Sequence, residues 1–92
     1  MKKPTPSQII VMCHMNLNHP PRIHRLPGGF WVTRSTPIKL SGVPAWSTSI
    51  QTIRAMEKQG LLKPVHHHAE EWRDERELTE KGIGWVLSEH LR

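Results

Sequence analysis

The stretch from Trp46 to Leu62, WSTSIQTIRAMEKQGLL, is punctuated at both ends for one short helix. Ser47 and Thr48 are N-cap residue types, and Thr48 with Gln51 has the spacing of a capping box. Gly60 stands where a left-handed residue closes a helix, with Leu61 or Leu62 placed for the accompanying apolar contact. At about 100° per residue, Ile50, Ile53 and Met56 fall on one arc and face a core. A helix over 48–59 then presents Thr48, Gln51, Thr52, Ala55 and Lys58 on the opposite side, with Arg54 on the flank. Further on, Leu78-Thr79-Glu80-Lys81-Gly82 opens another helix: Thr79 caps it and Glu80 complements its N-terminal dipole. Ile83, Trp85, Val86, Leu87 and Leu91 supply its docking positions. Between the two helices, Lys63 to His68 and Asp74 to Leu78 are strand candidates joined by Ala69 to Arg73.

Upstream, Thr5-Pro6-Ser7-Gln8 is a helix start, because Thr5 caps, Pro6 suits the first helical position and Gln8 reaches back. That helix runs to about Leu17. Its apolar residues, Ile9, Ile10, Val11, Met12, Cys13, Met15 and Leu17, are too dense for a clean stripe and predict burial on more than one side. Arg22 to Arg34 reads as a hairpin turning at Pro27-Gly28-Gly29, with Phe30, Trp31, Val32 and Thr33 as the returning strand. Thr36 to Ala45 holds two prolines and a glycine, so any helix there is short or replaced by an ordered loop. Trp31, Trp46 and Trp85 are expected to anchor the core with Phe30, Ile50, Ile53, Met56, Leu61 and Leu78.

Ninety-two residues make one small domain, taken as 1–92. Charge divides sharply by position. Up to Lys63 there are nine Lys and Arg against the single acid Glu57; from Pro64 onward four bases face seven acids. Clustered cations favour a polyanion through release of its condensed counterions, so the basic part points to nucleic acid. One cysteine, Cys13, precludes an internal disulfide and sits in an apolar helical stretch, where a buried inert thiol is expected. No apolar run reaches the roughly 20 residues of a membrane span, and Lys2-Lys3 precedes Pro-Thr-Pro-Ser, not a signal-peptide core. These features predict a soluble cytoplasmic protein with no membrane partner.

Taken together, the capped helix ending in Gly-Leu-Leu, the two strand candidates and Leu-Thr-Glu-Lys-Gly resemble the recognition helix, wing and final helix of a winged helix-turn-helix DNA-binding domain of the small bacterial or phage regulator type. The resemblance covers Trp46 to Leu91. It implies an α+β winged-helix-like domain of three or four helices with a two-stranded wing, to which this chain adds a β-hairpin in its N-terminal half. It also implies double-stranded DNA as partner, in a transcriptional regulator or a phage or mobile-element accessory protein. The departure is the hairpin and proline-bearing stretch where a second helix is usual. The DNA-contacting set is then Ser47, Thr48, Ser49, Gln51, Thr52, Arg54, Ala55, Lys58 and Lys63. Gln51 can address adenine, Arg54 guanine or phosphate, Ala55 leaves room for a thymine methyl, and Ser47 and Ser49 offer donors to a phosphate. A homodimer, usual for such regulators, would have to be made by the first helix, the last helix or the hairpin.

A second reading belongs to another class. Ala69 to Glu77 carries five acids around Trp72, a composition that phosphates repel. Glu70, Glu71, Trp72 and Arg73 would instead contact a protein partner, as in a winged-helix adaptor or phage-type inhibitor. Of the seven histidines, His66, His68 and Glu70 would share one side of a strand, but without a spaced Cys/His pair no intrinsic metal or other cofactor is expected. Catalysis is not expected either: there is no glycine-rich phosphate loop and no glycine-flanked nucleophile, and Cys13 and His14 diverge by about 100° on a helix.

Overall fold

Thr5, Pro6 and Gln8 start the first helix as their side chains dictate. In a computed structural model, which describes residues 3–65 and 74–90, helix α1 spans Pro6–Asn16. The Gln8 amide donates to Thr5 Oγ1 at 3.2 Å, and the Thr5 amide donates to Gln8 Oε1 at 3.1 Å. Strands β1 (Arg22–Arg25) and β2 (Trp31–Val32) form the expected hairpin across Gly28 and Gly29, both at positive φ, where a side chain would be strained. Then come α2 (Ile50–Lys58), β3 (Leu62–Pro64), β4 (Glu75–Leu78) and α3 (Glu80–His90). The result is an α+β domain of three helices and one four-stranded antiparallel sheet among the described residues, in the order β2-β1-β4-β3.

The register sorts the sheet residues by side. Ile23 opposes Arg76 and Leu62 opposes Leu78, so these four share the side that faces the helices. Arg22 opposes Glu77, His24 opposes Glu75 and Lys63 opposes Glu77, which makes the other side polar. Ile23, Leu62 and Leu78 join Val11, Met12 and Met15 of α1, Ile53 and Met56 of α2, Val86 of α3, Trp31 and Leu61 in one buried cluster. Trp46, Ile50 and Trp85 pack against it half-buried. Phe30, an expected core residue, is 40 % exposed: it alternates with the fully buried Trp31 and lies beside the Gly28 turn instead. Nor is α1 buried on several sides, since Ile10 and Leu17 are exposed and Cys13 is only half-buried. One amphipathic face suffices for a helix lying on the surface of a sheet.

Helix α2 starts one residue later than the spacing of Thr48 and Gln51 predicts. Ser49 is the N-cap and accepts from the Thr52 amide at 3.4 Å. Thr48 is unavailable for capping because its amide and carbonyl pair with Trp31 in a short antiparallel bridge, at 3.0 and 3.2 Å. The other end behaves as expected. With Gly60 at φ +79°, the Gly60 amide donates to the Glu57 carbonyl and the Leu61 amide to the Met56 carbonyl, a Schellman closure with Leu61 and Met56 both buried. The stretch before α2 is an ordered loop: Lys39 and Ala45 donate to the Val43 and Pro37 carbonyls, each at 2.8 Å. Strand β3 ends at Pro64, and the remainder of the first expected wing strand, His66 to His68, lies outside the described residues, as does Leu91. No helix among the described residues is long and apolar enough to cross a membrane.

Leu78 to Gly82 joins the two C-terminal helices through four specific contacts. Leu78 is core; Thr79 Oγ1 donates to the Gly60 carbonyl at 2.6 Å and accepts from the Gly82 amide at 3.2 Å. Lys81 Nζ donates to the Gln59 carbonyl at 2.7 Å, satisfying an orphan acceptor at the α2 C-terminus. Gly82 is required by proximity, since a Cβ there would stand 2.8 Å from the Leu61 carbonyl oxygen and 2.6 Å from Leu78 Cδ1. Gly84, two residues on, has nothing within 4 Å of such a Cβ. Gly82→Ala is therefore expected to destabilise by about 1–3 kcal/mol in spite of alanine's better helix propensity, whereas Gly84→Ala stabilises by about 0.5–1 kcal/mol; urea melts of the two variants check the contrast.

Candidate nucleic-acid interface

The helix that carries the expected contact residues is held in place from both ends. Ahead of it, the Trp46 indole stacks on the His14 imidazole of α1, with ring centres 4.0 Å apart and planes 18° from parallel. Burial holds the His14 pKa below its ordinary value, which favours a neutral ring in that stack. Together with the Trp31–Thr48 bridge, this contact fixes the segment Ser47–Ser49 that starts α2. Behind it stands the closure at Gly60.

The last turn of α2 is docked by a charge. Arg76 occupies the helix-facing side of β4, where an unpaired cation would be costly. Its Nε donates to Glu57 Oε1 of α2 at 2.8 Å, its Nη1 donates to Asp74 Oδ1 at 2.8 Å, and its guanidinium carbon lies 5.5 Å from the centre of the Trp31 ring. Burial disfavours the guanidinium charge, but hydrogen bonds and Coulombic attraction from Glu57 and Asp74 outweigh it and raise the arginine pKa further. Glu57 is the lone acid up to Lys63, and it is occupied by this contact.

With Ile53 and Met56 buried, the outward side of α2 presents Gln51, Arg54 and Lys58, all exposed, with Thr52 and Ala55 half-exposed between them. Among the described residues neither Arg54 nor Lys58 enters an ion pair. Gln51, Arg54 and Lys58 recur every three to four residues and so form one stripe. Ser47 and Ser49 are exposed at the N-terminal end, Ser49 within 3.2 Å of the Thr52 hydroxyl. Thr48, expected on the outward side, lies before the helix and is tied to β2. Lys63 points from the polar side of the sheet, with Nζ 3.4 Å from Glu77, so its charge is partly neutralised. Glu70, Glu71, Trp72 and Arg73, the expected protein-contact residues, lie outside the described residues. So do His66 and His68; among the described residues no group of His, Cys, Asp and Glu is arranged to hold a metal.

The acids of the sheet are engaged in the same way as Glu57. Glu77 accepts from Arg22 Nε at 2.9 Å, Glu75 lies 3.8 Å from Arg22, and Asp74 lies 4.0 Å from Arg25. What remains outward on α2 is positive and uncompensated. Sequence spacing found the stripe and puts Glu57 on the same arc as Ile50, Ile53 and Met56; it missed the meeting of Glu57 with Arg76 and of Arg76 with Asp74, because that depends on strand register.

Two measurements probe this scaffold. Glu57→Gln is expected to cost about 1–2 kcal/mol in urea melts, since it weakens a partly buried charge-assisted hydrogen bond without leaving a cavity. The Arg22 hydrogen bond, aided by Lys63 and opposed by burial, holds the Glu77 carboxyl below its ordinary value of 4.5. A carboxyl depressed in the folded state stabilises fully above the unfolded value and loses that contribution as pH falls through the folded one. The stability gap between the wild type and Glu77→Gln, under about 1 kcal/mol for so exposed a pair, should therefore be constant from about pH 7 to about pH 5 and shrink below about pH 4.5. Compared with protein-family models, with curated proteins and with solved structures, the chain finds no match.

Proposed function

We propose that this protein binds double-stranded DNA as a small winged-helix regulator or mobile-element accessory protein, with α2 lying in the major groove. The observation that carries the reading is the Gln51, Arg54 and Lys58 stripe: exposed, free of ion pairs among the described residues, and backed by a helix whose lone acid is turned inward onto Arg76. A helix of nine residues is about 13–14 Å long, a fair match to a groove about 12 Å wide. Connectivity supports it as well. Helix α2 runs through Gly60 into β3, β3 pairs with β4, and α3 follows, which is the succession of recognition helix, wing hairpin and closing helix that the family requires. In place of a helix before α2, the chain has β2 and the ordered loop at Pro37–Ala45, both tied to neighbouring backbone.

In this reading Gln51 pairs with adenine through its amide, Arg54 takes guanine or a phosphate, Ala55 borders a thymine methyl, and Lys58 takes a phosphate. Thr52, Ser47 and Ser49 supply hydroxyl and amide donors to the backbone where the groove passes the α2 N-terminus. Lys63 contributes only if a phosphate displaces Glu77.

Fluorescence anisotropy of a mixed duplex library across roughly 50 to 200 mM salt tests the assignment. The wild type is expected to bind with a salt slope that flattens by about one for each phosphate contact removed. A Gln51→Ala/Arg54→Ala/Lys58→Ala variant, confirmed as folded by its thermal melt, is expected to bind about a hundredfold more weakly or worse. Absence of wild-type binding, or equal binding by the two proteins, overturns the proposal.

A further inference from the structure

On the polar side of the sheet, away from the α2 stripe, the turn after α1, strand β1, strand β4 and the loop after β2 enclose a cleft of about 80 Å³. Its walls carry Asn18 and His19 from the turn, Arg22 and His24 from β1, Arg34 from the loop and Glu75 from β4. Two arginines and two histidines thus line a space bordered by one glutamate. The volume is several times the roughly 10–15 Å³ that a single water needs, enough for a tetrahedral oxyanion and too small for a base with its sugar.

The walls are preorganised. Asn18 Nδ2 donates to the His14 carbonyl at 3.1 Å and to Ser35 Oγ at 3.2 Å, which ties the turn bearing His19 to the loop bearing Arg34. That loop is braced internally: the hydroxyl of the buried Thr33 lies 3.2 Å from Ser35 Oγ and 3.0 Å from Thr36 Oγ1. Arg22 is oriented by Glu77 through its Nε at 2.9 Å, with Glu75 at 3.8 Å from Nη1, and retains further N–H donors. Arg34 enters no ion pair among the described residues. The carboxylates therefore position and balance Arg22 and leave the Arg34 charge over.

We propose that this cleft is a phosphoryl-binding site, with the Arg34 fork as the principal ligand, Arg22 and His19 as further donors and His24 as part of the wall. A planar guanidinium presents parallel N–H groups that match two phosphate oxygens, which an ammonium does not. The phosphoryl group has two candidate sources, a free phosphate or phosphomonoester and the backbone of a nucleic acid.

The test follows the histidine imidazole and arginine Nε–H resonances by NMR while inorganic phosphate replaces chloride at constant ionic strength. A saturable shift of the His19, His24 and Arg34 signals is expected in the wild type. Arg34→Ala, a change at an exposed side chain, should weaken it about tenfold or more, and Arg34→Lys, which keeps the charge and loses the fork, should not restore it. A linear drift without saturation, or equal shifts in the wild type and Arg34→Ala, overturns the site. A short duplex added to the phosphate-saturated protein separates the sources: displacement of phosphate assigns the site to nucleic-acid backbone, and undisturbed phosphate signals assign it to a small phosphorylated ligand. Because Arg34 lies outside α2, absence of saturable phosphate binding by a wild type that still binds DNA through the α2 stripe overturns this site alone, and Arg34-dependent phosphate binding by a wild type that does not bind DNA overturns the α2 assignment alone.

Discussion

Arg76 is the constraint on which the other arrangements turn. A guanidinium on the helix-facing side of a sheet must be paired, and the structure pairs it with Glu57 of α2 and with Asp74 while it rests on the Trp31 ring. One side chain thereby links α2, β4 and, through Trp31, β2. Burial of Ile53 and Met56 turns the apolar side of α2 to the core, and the charge-assisted hydrogen bond to Glu57 adds a directional contact that area burial does not supply. The pair with Glu57 reinforces the rotation that turns Gln51, Arg54 and Lys58 outward.

The second constraint is the junction of α2 and α3. Thr79 bridges the Gly60 carbonyl and the Gly82 amide, Lys81 reaches the Gln59 carbonyl, and Gly82 lets α3 approach the Leu61 backbone. The polar groups that each helix end leaves unsatisfied are thus used to hold the other helix. This junction and Arg76 both act on the C-terminal turn of α2, while the His14–Trp46 stack acts on the segment before it. A helix held in this way presents its outward side in one orientation.

Charge is distributed to the same effect. Seven of the eight acids follow Pro64 in the chain, and those of β4 are matched by Arg22, Arg25, Lys63 and Arg76. Exposed cations without ion pairs among the described residues include Arg54 and Lys58 on α2 and Arg34 at the cleft. Both places face solvent, and each is framed by side chains whose own partners are settled.

Much of this was readable from local signals. Thr5 and Gln8 announce α1, Gly28 and Gly29 the hairpin, Gly60 the end of α2, and Thr79 the start of α3, because caps and turns are decided by residues within a few positions of one another. The outward stripe on α2 follows from periodicity for the same reason. Pairings between distant segments decided the rest. Thr48 has the chemistry of an N-cap, but its backbone is taken by Trp31, and Ser49 caps instead. Phe30 has the chemistry of a core residue, but strand alternation with Trp31 leaves it outside. The hairpin and the candidate wing read as two separate units along the chain; the pairing of β1 with β4 makes them one sheet. That pairing sets which side each of Arg22, His24, Glu75, Arg76 and Glu77 occupies, since a one-residue slip would exchange the two sides. By itself, then, the sequence determined the elements, their ends and the polar stripe of α2, which short-range chemistry specifies. Only the tertiary structure decided the pairing of Glu57 with Arg76 and the gathering of Asn18, His19, Arg22, His24 and Arg34 into one cleft, because register and docking join residues that no local pattern connects.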